Sequence, residues 1–234
     1  MKKSNCVVNF SGGMDSTVLL YHAVKHHKEV LALSFIYGQR HAKELDAAKE
    51  IVKALPGVTH KVIDVSFFKD IANKSALTNS DIAVAKAKDV VGDPQTVNYV
   101  PFRNMMLLSI ASAAAESVGA DTVMYGAAQA DSVAGYWDGS EEFLTAVNSV
   151  NILNRRSKIK IEAPLIEMSK SEIITWGKKL KVPFDKTWTC YEGKEVSCGT
   201  CTACSLRLQG FIDAGIQDPL PYEKDIPWDT LLNK

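Results

Sequence analysis

Two short stretches of this 234-residue chain carry side chains at spacings that chemistry uses. The first is Val7-Val8-Asn9-Phe10-Ser11-Gly12-Gly13-Met14-Asp15-Ser16, followed at once by a helix-like run from Thr17 to His27. An apolar strand that ends in serine, two glycines, an acid and a second serine makes a tight turn into a helix N-terminus. Gly12 and Gly13 can take positive φ and put no Cβ in the way of a ligand. The N–H groups of Ser11 to Ser16 then point outward at the positive end of the helix dipole, which binds phosphate. No Gly-Lys-Ser/Thr follows, so this is not the ATPase P-loop, nor is it the Gly-x-Gly-x-x-Gly of dinucleotide folds. The second stretch places Cys190, Cys198, Cys201 and Cys204 within fifteen residues. Two C-x-x-C steps share Cys201, and Gly199 lets the knuckle turn so that backbone N–H groups face the sulfurs. Four thiolates so spaced can close a tetrahedron around Zn²⁺ as a structural site. An iron–sulfur cluster and a redox dithiol are the competing readings.

The elements that must position these groups read as an α/β fold. Cys6 to Phe10 is a continuous apolar run suited to a central parallel strand, and Cys6 within it reads as a buried structural thiol. A helix from Ser16 to His27 and a strand from Val30 to Ile36 follow. Next come a helix with Leu45, Ala48, Val52 and Leu55 on one face, ended by Pro56-Gly57, and a third strand from His60 to Val65. This β-α-β-α-β rhythm implies right-handed crossovers and a doubly wound parallel sheet. Phe67 to Val97 lacks a clear period and is expected to be a mobile insertion, partly helical over Ile82 to Lys88. A helix from Met105 to Val118 precedes a fourth strand, Thr122 to Gly126, whose end lies where ligand crevices of open sheets form. A loop from Ala127 to Gly139, a helix from Glu141 to Asn151 and a fifth strand from Lys158 to Ile161 come next. Ser169 then caps a helix through Leu180, with Glu172 in the capping-box position. A last helix from Thr202 to Ala214 and a Pro-rich tail complete the layout. It divides into an α/β domain over residues 1–186 and a zinc-binding segment over residues 187–234.

Composition narrows the function classes. Lysine plus arginine equals aspartate plus glutamate at 27 each, so no overall field draws the chain to nucleic acid or anionic membrane. The apolar share of 46% and charged share of 23% are those of an ordinary globular protein. No apolar stretch approaches a membrane span, and Met1-Lys2-Lys3-Ser4 leads directly into a strand rather than a signal peptide. The expected location is the cytoplasm, where cysteines read as metal ligands or thiols before disulfides.

Ser11-Gly-Gly-x-Asp-Ser16 resembles the pyrophosphate loop (PP-loop) of ATP pyrophosphatases, and with the other motifs the chain resembles the 7-cyano-7-deazaguanine synthase family. Those motifs are Tyr37-Gly-Gln-Arg-His41, Tyr99-Val-Pro-x-Arg-Asn104, Pro164-Leu165 with Lys170, and the four cysteines. The resemblance implies a five-stranded PP-loop sheet and a reaction that turns 7-carboxy-7-deazaguanine into the nitrile with ATP, Mg²⁺ and ammonia. The carboxylate is adenylated, ammonia gives the amide, the amide oxygen is adenylated, and loss of AMP leaves the nitrile. It also implies a homodimer. Phe10 to Thr17 are expected to hold the nucleotide, with Asp15 and Ser16 beside its phosphates. Arg103 and Lys170 are candidate counter-charges for phosphate or substrate carboxylate. Tyr37, Arg40, His41 and Arg103 are expected at the substrate. The chain departs from the family at Phe102, where glycine is usual, and at Trp137, Gly139 and Ser140, where proline, cysteine and arginine are usual. Asp131 and Asp138 can accept from a purine-like amine and ring N–H, and Tyr136 or Trp137 can stack on its face. Loss of the arginine at Ser140 suggests weaker use of the carboxylate than of the amide. Two alternatives stand beside this reading: a variant that amidates a related 7-deazapurine or stops at the amide, and a PP-loop enzyme that modifies tRNA. A zinc interaction module is a third, but it has no use for an intact loop.

Overall fold

Strand β1 (Cys6–Asn9) is the middle of the molecule because apolar side chains leave from both of its faces. The computed structural model describes residues 4–39, 43–86, 97–133, 136–192 and 195–232. In chain order β1 is followed by α1 (Met14–His26), β2 (Val30–Ile36), α2 (Lys43–Lys53), β3 (Val58–Asp64), α3 (Phe68–Ile71) and α4 (Arg103–Val118). Then come β4 (Thr122–Met124), α5 (Gln129–Val133), α6 (Glu141–Asn151), β5 (Lys160–Glu162), α7 (Lys170–Lys179), α8 (Thr202–Asp213) and α9 (Trp228–Leu232). All strand pairs are parallel, in the order β3-β2-β1-β4-β5. The chain therefore steps outward from β1 to β3, then returns to lay β4 on the other side of β1. That reversal between β1 and β4 is the switch point where open α/β sheets bind ligands.

Alternation along the strands sorts the two cores. Cys6, Val8 and Phe10 pack with Val18 and Leu19 of α1, Ala48 and Ile51 of α2, and Ile173 and Ile174 of α7. Val7, Leu31, Leu33 and Phe35 pack with Leu108, Ala111 and Ala115 of α4 and Phe143 of α6. The doubly wound five-stranded sheet expected from the sequence is present. Among the described residues no helix is long and apolar enough to cross a membrane.

Local corrections have physical causes. The described part of 67–97 is packed rather than loose. Phe68, Ala72, Leu77 and Val100 form one small cluster, Val84 joins the cysteines in another, and Lys86 makes an antiparallel bridge to Cys201. Residues 82–86 are not helical, and 87 and 88 lie outside the described residues. Phe68, Ala72 and Leu77 go to one cluster and Val84 alone to the other, which leaves no helical period to read around Val84. The expected loop over 127–139 instead contains α5 and a single 3-10 turn at Trp137–Gly139. Helix α4 begins at Arg103, two residues early, because Phe102 takes a left-handed turn (φ 54°) just before it.

Candidate functional site

The loop between β1 and α1 is braced from inside. The Ser11 hydroxyl accepts from the Gly13 N–H (3.1 Å), and the Ser16 hydroxyl accepts from the Ser11 N–H (3.2 Å). The two hydroxyl oxygens lie 3.1 Å apart. Gly12 sits at φ +86°, and a Cβ there would fall 2.3 Å from the Glu44 carbonyl oxygen and 2.6 Å from the Ala48 N. Its glycine is thus required by the close approach of α2, whereas the sequence reading had reserved that space for a ligand. No side chain of the described residues caps α1 at Gly13. The N–H groups of its first turn are left at the positive end of the dipole, open to an anion. Thr17 is fully buried, and its hydroxyl donates to the Gly13 carbonyl (2.7 Å).

A cavity of about 320 Å³ opens over the carboxyl ends of β1, β2 and β4. Of the residues expected to hold nucleotide, Phe10, Ser11, Gly13, Met14, Asp15 and Ser16 line it, and Gly12 and Thr17 do not. Lys170, Arg103, Tyr37, Asp131, Tyr136 and Asp138 line it too. Arg40 and His41 lie outside the described residues. Trp137 faces elsewhere: it packs edge-on against Phe102 and Phe143, and its indole N–H donates to the Tyr99 hydroxyl (2.7 Å). Gly139 lets that turn lie close to Asp131, whose Cβ would be 2.6 Å from any Cβ at residue 139. Ser140 caps α6 by accepting from the Phe143 N–H (3.1 Å). An arginine in its place would remove a cap worth about 1 kcal/mol.

Charge in the cavity is arranged in two pairs. Lys170 donates to Asp15 Oδ2 at 2.6 Å. Burial opposes its charge, but Asp15 and Asp131 outweigh that and raise its pKa. Arg103 donates to the Tyr37 hydroxyl (3.4 Å) and lies over that ring. Burial pushes the Asp131 and Asp138 carboxyls up, opposed by Lys170 at the first and Arg103 at the second. Glu44, at the start of α2, is pushed up to about 7 by burial even with Arg103 near.

The sequence reading missed Asn9, Glu44, Tyr125, Tyr191 and Arg207, all of which line the cavity. Three residues of its lining each carry a buried polar atom with no partner among the described residues: Asn9 Oδ1, Asp15 Oδ1 and the Tyr125 hydroxyl. A polar residue closing an otherwise apolar strand was the available signal for Asn9. Asp15 holds Lys170 with one oxygen and leaves the other free, which fits a divalent cation beside phosphates.

The four cysteines meet beyond the cavity. Their sulfurs all lie within 4.8 Å of one another, and each cysteine is buried. Tetrahedral zinc, with Zn–S of about 2.3 Å, sets sulfurs about 3.8 Å apart, so the set fits a metal ion. The N–H groups of Thr200 and Cys201 point at Cys198 Sγ (3.4 and 3.3 Å), and that of Cys198 points at Cys190 Sγ (3.4 Å). Such donors stabilise thiolates, as a metal site needs.

Fold and loop together first define a class, the PP-loop α/β proteins. The chain is similar in structure to NMN synthetase from Francisella tularensis (TM-score 0.52, 15% identity, 99% of this chain and 83% of that one). It is also similar to the U34-tRNA thiolase NcsA from Methanococcus maripaludis (TM-score 0.50, 16% identity, 90% and 65%). At such identities the likeness concerns the fold alone. Residues 5–215 match the family described as "Queuosine biosynthesis protein QueC", and the chain belongs to that family. Among its relatives named 7-cyano-7-deazaguanine synthase, that of Alteromonas mediterranea is 45% identical over 220 residues (94% of this chain, 99% of the relative). Those of Nitratiruptor sp. (44%; 93% and 98%) and Thermoplasma acidophilum (40%; 96% and 94%) are comparable.

Proposed function

We propose that this chain is an ATP-dependent carbon–nitrogen ligase that converts 7-carboxy-7-deazaguanine to 7-cyano-7-deazaguanine through the amide. Ammonia supplies the nitrogen, and each of the two activations releases pyrophosphate and then AMP. The observation that carries the reading is a juxtaposition in a chain of this family. An uncapped helix N-terminus and the Lys170–Asp15 pair share one cavity with a wall of Arg103, Asp131, Tyr136 and Asp138. The open N–H groups of α1, with Ser11 and Ser16, suit a departing pyrophosphate, and Lys170 adds a fixed positive charge as that group leaves. Asp131 and Asp138 suit the donor edge of a guanine-like ring, Tyr136 its face, and Tyr37 with Arg103 its carboxylate side. Arg40 and His41 belong to the same substrate assignment by their motif. Mg²⁺, held by phosphate oxygens and the free oxygen of Asp15, would neutralise charge at the loop.

For Cys190, Cys198, Cys201 and Cys204 we propose one structural Zn²⁺, in a segment over 187–234 that is set against the α/β unit over 1–186. Elemental analysis of the purified protein should find about one zinc per chain; an iron–sulfur absorption spectrum overturns that choice. A homodimer and a cytoplasmic location complete the proposal. Sulfur transfer to tRNA is disfavoured by Cys6, the one cysteine outside the metal set. It is 1% exposed in the central strand, and burial, with Glu162 and Asp121, pushes its thiol up to about 12. The deciding experiment is mass spectrometry of the products formed from 7-carboxy-7-deazaguanine, ATP, Mg²⁺ and ammonia. Nitrile, AMP and pyrophosphate are expected; ADP as the nucleotide product, or a requirement for tRNA, rejects the reading.

A further inference from the structure

Two side chains at the switch point each carry a buried polar atom with no partner among the described residues. Asn9 closes β1, and Tyr125 directly follows β4. The register pairs Val7 with Val123 and Val8 with Met124, so Asn9 and Tyr125 are the next neighbours across the two strands. Both lie two residues beyond a side chain of the α4-facing core, Val7 and Val123, and therefore project to the same face. Tyr125 is 4% exposed. Both residues line the cavity, and the Tyr125 hydroxyl and Asn9 Oδ1 are buried with no partner among the described residues. An orphaned buried polar atom is costly, and two on neighbouring residues of a cavity wall point to a ligand that satisfies both.

Their position says which part of a ligand they meet. Only Phe10 separates Asn9 from Ser11, the first residue of the phosphate loop. Gly126 follows Tyr125 and lies against α1, with its Cβ position 3.5 Å from the Ser16 N. The substrate group nearest that loop is the one whose oxygen attacks the nucleotide phosphate, so the pair faces the reacting end of the substrate. Burial, with Asp138 and Asp131 nearby, raises the Tyr125 pKa, which keeps the phenol a hydrogen-bond donor. Asn9 Oδ1 is an acceptor. A donor beside an acceptor matches a carboxamide, whose oxygen accepts and whose NH₂ donates. A carboxylate offers acceptors only and, with the Asn9 amide oriented as it stands, sets one oxygen against Oδ1; the acid is accommodated only if that amide turns over.

We propose that Asn9 and Tyr125 recognise the carboxamide form of the substrate and hold its oxygen toward the phosphate loop for the second activation. This assignment rests on the ligase reading above and names the residues that favour the amide over the acid. It involves no proton or electron transfer by either side chain; both act by positioning.

The test compares wild type, Asn9→Val and Tyr125→Phe, with the 7-carboxy and 7-carboxamido compounds each supplied as substrate. Wild-type turnover of either compound tests the ligase reading by itself. In the variants, kcat/KM for the amide should fall roughly ten- to hundredfold. The fall for the acid should be smaller, and amide should be released during reactions begun from acid. Calorimetry with the carboxamide in the absence of ATP should show the same loss of affinity. Removing an orphaned hydroxyl should leave the Tm of ligand-free Tyr125→Phe unchanged or raised, which a merely structural tyrosine would not do. Equal losses with both compounds, unchanged amide kinetics, or a lowered Tm for ligand-free Tyr125→Phe would overturn the proposal.

Discussion

Replacing Arg207 by methionine should lower the unfolding free energy by about 3–5 kcal/mol, the cost of leaving a buried charge without its partner. Arg207 is 1% exposed and Asp218 2% exposed. Their contact is bidentate, Nε to Oδ2 at 2.6 Å and Nη2 to Oδ1 at 2.9 Å. The remaining guanidinium donors reach the Thr187 hydroxyl (2.7 Å), the Thr189 hydroxyl (3.2 Å) and the Phe184 carbonyl (3.0 Å). Tyr222 donates to the same carboxylate at 2.6 Å. One side chain of α8 therefore holds the segment that leads into Cys190 and the tail that packs on the cysteine knuckle. The deletion strands Asp218 while removing donors from two threonines and a carbonyl, so its effect should exceed that of an ordinary core truncation. Denaturant unfolding of the metal-loaded protein measures it. The double variant Arg207→Met/Asp218→Leu should recover part of the loss, because no buried charge is then left over. A loss below about 1 kcal/mol in the single variant, or a double variant worse than the sum of the singles, would show that the pair carries no such burden.

Arg207 sits in a helix whose apolar spacing explains the buried Ala203, Leu208 and Phe211, and an arginine there reads as solvated. Its partner lies eleven residues on, past the end of the helix, where no periodicity links the two. Glu44 was hidden for a related reason: an acid in a first helical turn is what the dipole favours, so it carried no signal of a cavity. Elements fixed by local chemistry were legible. The Ser/Gly/Asp turn at the end of β1, the continuous apolar runs of β1 and β2, the Ser169–Glu172 capping box and the cysteine spacing each depend on near neighbours. Features that depend on distant packing were not. Whether Tyr136 or Trp137 would face the cavity turns on one 3-10 turn, and Trp137 is held away by Phe102, a residue thirty-five positions earlier. Gly12 was assigned to a ligand when its space is taken by α2, which no local rule foretells.

Substituting Asp15 by alanine, or Lys170 by methionine, should reduce kcat by about 10²–10³-fold or more while leaving the fold and the metal content intact. Lys170 is the first residue of α7, in the turn where the dipole disfavours a cation, so helix stability does not account for it. It is nonetheless nearly buried, 2.6 Å from Asp15 Oδ2, at the edge of the open N-terminus of α1. A preorganised positive charge there gains most when pyrophosphate departs, because negative charge then builds on the bridging oxygen. Loss of Lys170 should thus act on kcat more than on KM for ATP. Asp15→Ala removes both the orientation of Lys170 and the free oxygen proposed for Mg²⁺, and its activity should stay low when Mg²⁺ is raised. Asp15→Asn keeps the shape, loses the charge, and should fall between the two. Circular dichroism and metal analysis establish that the variants are folded, and AMP release under saturating ATP gives the rates. Activity within tenfold of wild type in Lys170→Met, with AMP still the product, would remove Lys170 from the chemistry and leave the loop N–H groups to carry the pyrophosphate unaided.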